Sequence, residues 1–192
     1  MKNFRIAVVV GSLRVESFNR KMANSLIKIA PRNLRLEIVE INQLSLYNED
    51  LDASPPVSWV EFRNRLREFD GILFLTPEYN RSVPGVLKNA IDIGSRPYGK
   101  SVWAAKAAGV ISVSIGSLGG FGANHHLRQT LSYLDMPTMA QPEAYIANAA
   151  TLFSDMGILV DEKSREYMET FLHEFSHWMI TNTPEKNMAS NR

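Results

Sequence analysis

The chain has 192 residues, 45% of them hydrophobic and 21% charged, with a formal net charge of +1. That is enough for one well-packed domain and gives no electrostatic footprint for nucleic acid or an anionic membrane. There are no cysteines, which excludes disulfides, thiolate metal sites and redox chemistry on the protein's own sulfur; electrons that move here need a bound cofactor.

In chain order, a strand is predicted over residues 5–10, a helix over 19–30, and a strand over 36–41. The stretch 42–56, with Asp50, Asp52, Pro55 and Pro56, is a long excursion, a candidate lid or interface. A helix over 57–69, a strand over 71–76, a helix over 84–93, a strand over 108–113 and a helix over 124–134 follow. A last strand lies between 137 and 146, and a helix over 162–181 closes the pattern. Short apolar runs alternating with amphipathic stretches are the mark of βαβ units and a buried parallel sheet. Five strands fit an α/β, flavodoxin-like doubly wound sheet with helices on both faces. In the last helix Tyr167, Met168, Phe171, Leu172, Phe175, Trp178 and Met179 form a stripe that closes one sheet face. Residues 182–192 have almost no apolar content and read as a mobile tail, leaving 1–181 as a single domain. The apolar run 6–10 is too short to cross a membrane, and Arg14 and Arg20 follow it without a cleavage site. The expected location is therefore the cytoplasm.

Ligands of open parallel sheets bind at the carboxyl ends of the strands, so the turn after the first strand matters most. It reads Gly11-Ser-Leu-Arg-Val-Glu-Ser-Phe-Asn-Arg20. It lacks the repeated glycines of dinucleotide folds and the Gly-Lys-Ser ending of a nucleoside-triphosphate loop. What remains is Ser12, Arg14, Ser17 and Asn19 at the positive end of a helix dipole, an inventory that suits a monophosphate. The same residues would also serve an ordinary strand-to-helix loop in which Ser17 or Asn19 caps the helix.

The strand over 71–76 runs into Pro77-Glu-Tyr-Asn-Arg-Ser-Val-Pro84-Gly85. Prolines stiffen this loop, while Glu78, Tyr79 and Asn80 bring polar groups and a ring to the same sheet edge, where a planar heteroaromatic ligand fits. A third loop, Ser114-Ile-Gly-Ser-Leu-Gly-Gly120, is glycine-rich, so its backbone can approach a flat ligand closely. With Pro84-Gly-Val-Leu-Lys-Asn-Ala-Ile-Asp92 and Leu127-Arg128-Gln129, these segments resemble the NADPH-dependent FMN reductase family of flavodoxin-like quinone and chromate reductases, over roughly residues 4–150.

The resemblance implies FMN as cofactor, NADPH or NADH as electron donor, and a small-molecule acceptor: a quinone, free flavin, azo compound or chromate. Carried over, Ser12, Arg14, Ser17 and Asn19 bind the FMN phosphate. Pro77, Glu78, Tyr79 and Asn80, with Ser117, Gly119 and Gly120, flank the ribityl chain and ring, Tyr79 as a wall rather than a proton donor. No catalytic side chain is required, because the flavin carries the chemistry. A homodimer or homotetramer is also implied, with the helix over 84–93 as an interface. The family often has a tryptophan after Ile-Asp and a basic residue soon after Gly-Gly. Here Ile93-Gly94 and Phe121-Gly122 stand there, which bears on substrate preference.

Two further patterns carry less. His173-Glu-Phe-Ser-His177 matches a zinc-peptidase pattern, but the extension with a third histidine is absent, since Trp-Met-Ile-Thr follows. His125 and His126 precede Leu127 and read as polar residues of a helix's first turn. The rival from another class is a flavodoxin-like electron carrier or flavin-binding regulator, against which the near-neutral charge argues. A phosphate-sugar or nucleotide module on the same fold is a further alternative.

Overall fold

The computed structural model describes residues 2–183. Five strands, β1 (Phe4–Val10), β2 (Leu34–Val39), β3 (Gly71–Thr76), β4 (Ala107–Val113) and β5 (Ala144–Ile146), form one sheet in the order β2-β1-β3-β4-β5. Every neighbouring pair is parallel, so each connection must cross a sheet face, and the five helices provide that cover. They are α1 (Phe18–Ile29), α2 (Val57–Arg67), α3 (Gly85–Gly94), α4 (Phe121–Tyr133) and α5 (Glu162–Asn182). This is the flavodoxin-like doubly wound arrangement that the alternating pattern predicts.

The alternation of β1 divides the core in two. Phe4, Ile6, Val8 and Val10 point to one face, where Met22 and Leu26 of α1 and Met168, Phe171, Leu172 and Phe175 of α5 cover them. Ala7 and Val9 point to the other, beneath Trp59, Phe62 and Leu66 of α2, Leu87 and Ile91 of α3, and Leu127 and Leu131 of α4. β3 and β4 are buried along their whole length, which is why they read as continuous apolar runs rather than alternating ones.

Some boundaries move for physical reasons. β2 begins at Leu34 because Leu34 pairs with Phe4, and its ladder ends where Val39 meets Val9, short of the expected residue 41. The last strand is interrupted: Thr138 makes an isolated bridge to Ala108, and pairing resumes only at Ala144 against Ile111. α4 starts at Phe121 rather than near residue 124, through a cap supplied by a distant side chain, described below. Asn182 still belongs to α5, and the expected tail beyond Thr183 lies outside the described residues.

One contact shows how closely the second core is packed. Gly94, the last residue of α3, lies under Trp103, whose indole Nε1 donates to the Ile91 carbonyl at 2.8 Å. A Cβ at residue 94 would come within 2.5 Å of the buried indole. Gly94→Ala gains about 1 kcal/mol of helix propensity, but displacing Trp103 from a close-packed core costs about 1–3 kcal/mol. Chemical denaturation is expected to show net destabilisation; a variant more stable than wild type would mean that Trp103 moves aside freely.

Candidate functional site

The amide of Gly11 continues the β1–β3 pairing by donating to the Leu75 carbonyl at 2.8 Å. The turns that leave β1 and β3 therefore start side by side, with the β4 turn next to them. Between them lies a cleft of about 180 Å³ lined by Ser12, Arg14, Ser17, Phe18, Asn19, Pro77, Glu78, Tyr79, Val113, Ser114 and Ile115. Seven residues singled out in the sequence meet there: Ser12, Arg14, Ser17, Asn19, Pro77, Glu78 and Tyr79. Asn80, Ser117, Gly119 and Gly120 do not line it.

The first turn ends on the N-terminus of α1. Ser17 is the cap, its Oγ accepting from the Arg20 amide at 3.3 Å, which leaves its hydroxyl hydrogen free to donate outward. No acidic residue occupies the first turn of α1, so the positive end of the helix dipole faces the cleft uncompensated. Arg14 makes no hydrogen bond or salt bridge among the described residues, whereas Arg20 is held bidentately by Glu40 at 2.7 and 2.6 Å. Asn19 is 2% exposed. Its Nδ2 donates to the Val113 carbonyl at 3.1 Å, and its Oδ1 has no partner. A buried acceptor left unpaired costs about 1–3 kcal/mol, so this oxygen calls for a donor from outside the protein.

The second turn is a tight hairpin in which Tyr79 and Ser82 exchange backbone hydrogen bonds of 2.9 and 3.0 Å. Asn80 and Arg81, at φ 51° and 65°, make the corner, a conformation that asparagine tolerates better than most residues. Asn80 thus shapes the hairpin, and Tyr79 presents its ring to the cleft. The third turn descends onto the sheet at Gly119 and Gly120, at φ 59° and 78°. A Cβ on Gly119 would lie 2.6 Å from the Tyr145 carbonyl carbon. These two glycines seat the loop and launch α4.

Glu78 has a structural partner that its sequence position does not reveal. Its carboxylate, 11% exposed, accepts from the Ala123 amide at 3.0 Å and from the Arg81 guanidinium at 2.7 Å. It therefore caps α4 across space, joining the second turn to the third. A side chain on Gly122 would collide with it, at 2.9 Å from Oε2. Burial pushes the Glu78 carboxyl up, but the Ala123 amide, Arg81 and the Gly122 amide outweigh it and hold the carboxyl below its ordinary value.

His125, His126 and His177 find local partners. His126 Nδ1 shares a hydrogen bond with Ser82 Oγ at 2.7 Å, and His125 Nε2 with the Tyr145 hydroxyl at 2.8 Å; neither lines the cleft. His177 lies on the outer side of α5, 4.0 Å from Glu174. Among the described residues no group of three potential metal ligands is assembled. The apolar lining residues Phe18, Val113 and Ile115 escape a motif-based reading; the signal for them is their position at or just beyond the end of an element flanking the cleft.

A larger concavity of about 620 Å³ lies between α3 and α4, with Tyr47, Lys88, Asp92, Arg96, His126 and Tyr133 on its walls. The excursion 42–56 forms one side, stitched to α3 where Asn89 accepts from the Tyr47 amide at 2.8 Å and donates to the Ser45 carbonyl at 3.0 Å. Volume alone favours this groove. Its charged groups are already engaged, Lys88 with Asp92 at 2.8 Å and Arg96 over the Tyr47 ring. The smaller cleft is the stronger candidate because Arg14, the Asn19 Oδ1 and the hydroxyl hydrogen of Ser17 are unspent there.

The carboxyl of Glu78, depressed in the fold, stabilises it above the unfolded-state value of about 4.3 and ceases to do so as pH falls through the folded value. Glu78→Gln is expected to lower the unfolding free energy by about 1–3 kcal/mol near neutral pH, with the gap to wild type closing as pH falls below the ordinary carboxylate range. A gap independent of pH in denaturant titrations would contradict the capping role.

Comparison with known proteins places these features in a family. Residues 4–151 match the model for NADPH-dependent FMN reductases. A quinone reductase of Pseudomonas putida is 57% identical over 180 residues, covering 93% of this chain and 96% of that protein. A 2-hydroxy-1,4-benzoquinone reductase of a Burkholderia species is 43% identical over 175 residues, covering 91% and 96%. Among solved structures, FerB, a flavoenzyme NAD(P)H:(acceptor) oxidoreductase from Paracoccus denitrificans, superposes with a TM-score of 0.88 at 38% identity, covering 94% of this chain and all of that one. With a flavodoxin-like sheet, a family model matching residues 4–151 and relatives of this kind along nearly its whole length, the chain belongs to the NADPH-dependent FMN reductase family.

Proposed function

We propose that the cleft at the carboxyl edge holds the phosphate and ribityl end of FMN, and that hydride from NADPH or NADH passes through that flavin to a small acceptor. Quinones lead the candidates, ahead of free flavin, azo compounds and chromate, because relatives at 57% and 43% identity are named for quinones. The observation that carries the reading is a coincidence in one cleft: an unpaired Arg14, an open α1 N-terminus and the orphaned Asn19 Oδ1. An anion answers the first two, and a hydroxyl donor the third. A ribityl phosphate supplies both.

Bound FMN supplies a two-electron store that accepts hydride from nicotinamide and returns it to the second substrate. The protein's part is to bind and orient. Ser12 and Ser17 donate hydroxyl hydrogens to the phosphate, and Arg14 adds a charge-assisted contact. Asn19 departs from a phosphate role: its Nδ2 is turned to Val113, so its Oδ1 receives a ribityl hydroxyl instead. Pro77 and Tyr79 form one wall of the ring site, and the loop carrying Ser117, Gly119 and Gly120 forms the other. Glu78 and Asn80 act indirectly, by fixing the second turn.

Residues 1–181 act as one FMN-binding domain in the cytoplasm, assembled as a homodimer or homotetramer through the α3 side. Among the described residues no helix is long and apolar enough to cross a membrane. The electron-carrier alternative lacks the strong negative charge that steers a small carrier to its partners, since the net charge is +1.

The test is to load the protein with FMN, record its visible spectrum, and add NADPH or NADH without oxygen. Bleaching of a retained flavin is expected; a flavin that stays oxidised would favour the carrier, and a protein that retains none would overturn both. Arg14→Ala is expected to weaken FMN binding roughly 10- to 100-fold, the loss of one charge-assisted contact, while leaving riboflavin affinity unchanged. Equal losses for both ligands would place Arg14 away from the phosphate.

A further inference from the structure

The three turns around the cleft are unusually apolar at their tips. Tyr79 and Ile115 line the cleft itself. Leu118, in the same loop as Ile115, is 60% exposed, Ile115 is 67% exposed, and Leu13 and Val15 flank Arg14, with Val15 at 93%. Single exposed aliphatics are ordinary, but four on two turns, with the Tyr79 ring on the turn between them, make a patch around one cleft that water alone does not favour.

The charges on these turns are as informative. The first turn, 11–17, contributes Arg14 and Glu16; the second, 77–84, contributes Glu78 and Arg81; the third, 114–120, contributes none. Arg81 is held by Glu78 at 2.7 Å, and Glu16 by Lys21 at 2.7 Å. That leaves Arg14 as the single unpaired cation on the three turns, and the cofactor phosphate claims it. A small oxyanion, whose reacting atom itself carries the charge, therefore meets no free positive charge at the mouth of the cleft, and desolvating it against aliphatic side chains is unfavourable. An uncharged planar molecule with alkyl substituents meets the opposite situation, because its apolar atoms leave water against Leu118, Ile115 and Val15.

We infer that this aliphatic rim selects the electron acceptor, favouring uncharged quinones that carry an alkyl tail over oxyanions such as chromate, with Ile115 and Leu118 as the residues that read the tail. The inference rests on the proposed FMN reductase reading and narrows its acceptor class. The overall reaction is NAD(P)H plus a solvent proton plus quinone giving NAD(P)+ plus hydroquinone. Two electrons and one proton leave the nicotinamide as hydride, and the second proton comes from water.

The experiment compares kcat/KM of the FMN-loaded enzyme for a dimethoxy-methyl-benzoquinone with and without a prenyl tail, and for chromate. Both quinones share one ring, so the tail is the variable. The tail is expected to raise kcat/KM about tenfold through KM, and chromate to be at least tenfold poorer than either quinone. In Leu118→Ser, a position outside the lining of the cleft, the tail advantage is expected to fall to about twofold, while activity with the tailless quinone persists. A tail without effect in wild type, or chromate used as well as quinone, would overturn the inference. So would a tail without effect combined with dissociation of the assembly on gel filtration of Leu118→Ser, since the rim would then be an interface between copies. Bleaching of the flavin by NADPH in the absence of acceptor, measured on the same samples, separates failure of the rim assignment from failure of the reductase reading.

Discussion

Parallel pairing is the constraint on which the rest depends. A parallel strand cannot return through a hairpin, so each strand ends at the same edge and its chain must climb over a sheet face before the next begins. In the order β2-β1-β3-β4-β5 the chain first moves outward from β1 to β2 and then crosses back to β3. The connections from β1 and β3 therefore depart to opposite faces, α1 on one and α3 on the other, and leave a crevice between them. The Gly11–Leu75 hydrogen bond extends the ladder to the brink of that crevice. Ser12 and Arg14 reach it from one side and Pro77 and Tyr79 from the other because the strands below them are in register, Val10 with Leu75.

A crevice between loops is useful only if the loops hold still. Three contacts supply that rigidity, each joining segments far apart in sequence. Glu78 fastens the second turn to the start of α4, His126 fastens the far side of the same hairpin through Ser82, and Gly119 rests the third turn on β5. All three lie outside the cleft or at its border. Arg14, the Ser17 hydroxyl hydrogen and the Asn19 Oδ1 are left uncommitted at the cleft, which is the pattern of a site organised in advance of its ligand.

Much of this was legible in the sequence. Strands buried on both faces give continuous apolar runs, and the helices give three- and four-residue spacing, so the sheet and its cover follow from periodicity. The residues of the first turn were legible because an arginine in a cap-like segment needs a reason. What escaped was set by contacts through space. Nothing near Phe121 predicts that α4 begins there, because its cap comes from Glu78. Nothing near Asn19 says that its amide is taken by Val113, which changes the group it offers to a ligand. Arg20 and Arg14 look alike in sequence; only Glu40 separates them. The excursion 42–56 looks like a free loop until Asn89 is seen to hold it against α3.

The most direct measurement is a crystal structure of the protein with FMN bound. The expected result places the phosphate among Ser12, Arg14, Ser17 and the first amides of α1, a ribityl hydroxyl against Asn19 Oδ1, and the ring between Tyr79 and the loop ending at Gly120. Flavin density in the larger groove between α3 and α4, or a phosphate bound away from Arg14, would contradict the assignment of the carboxyl-edge cleft.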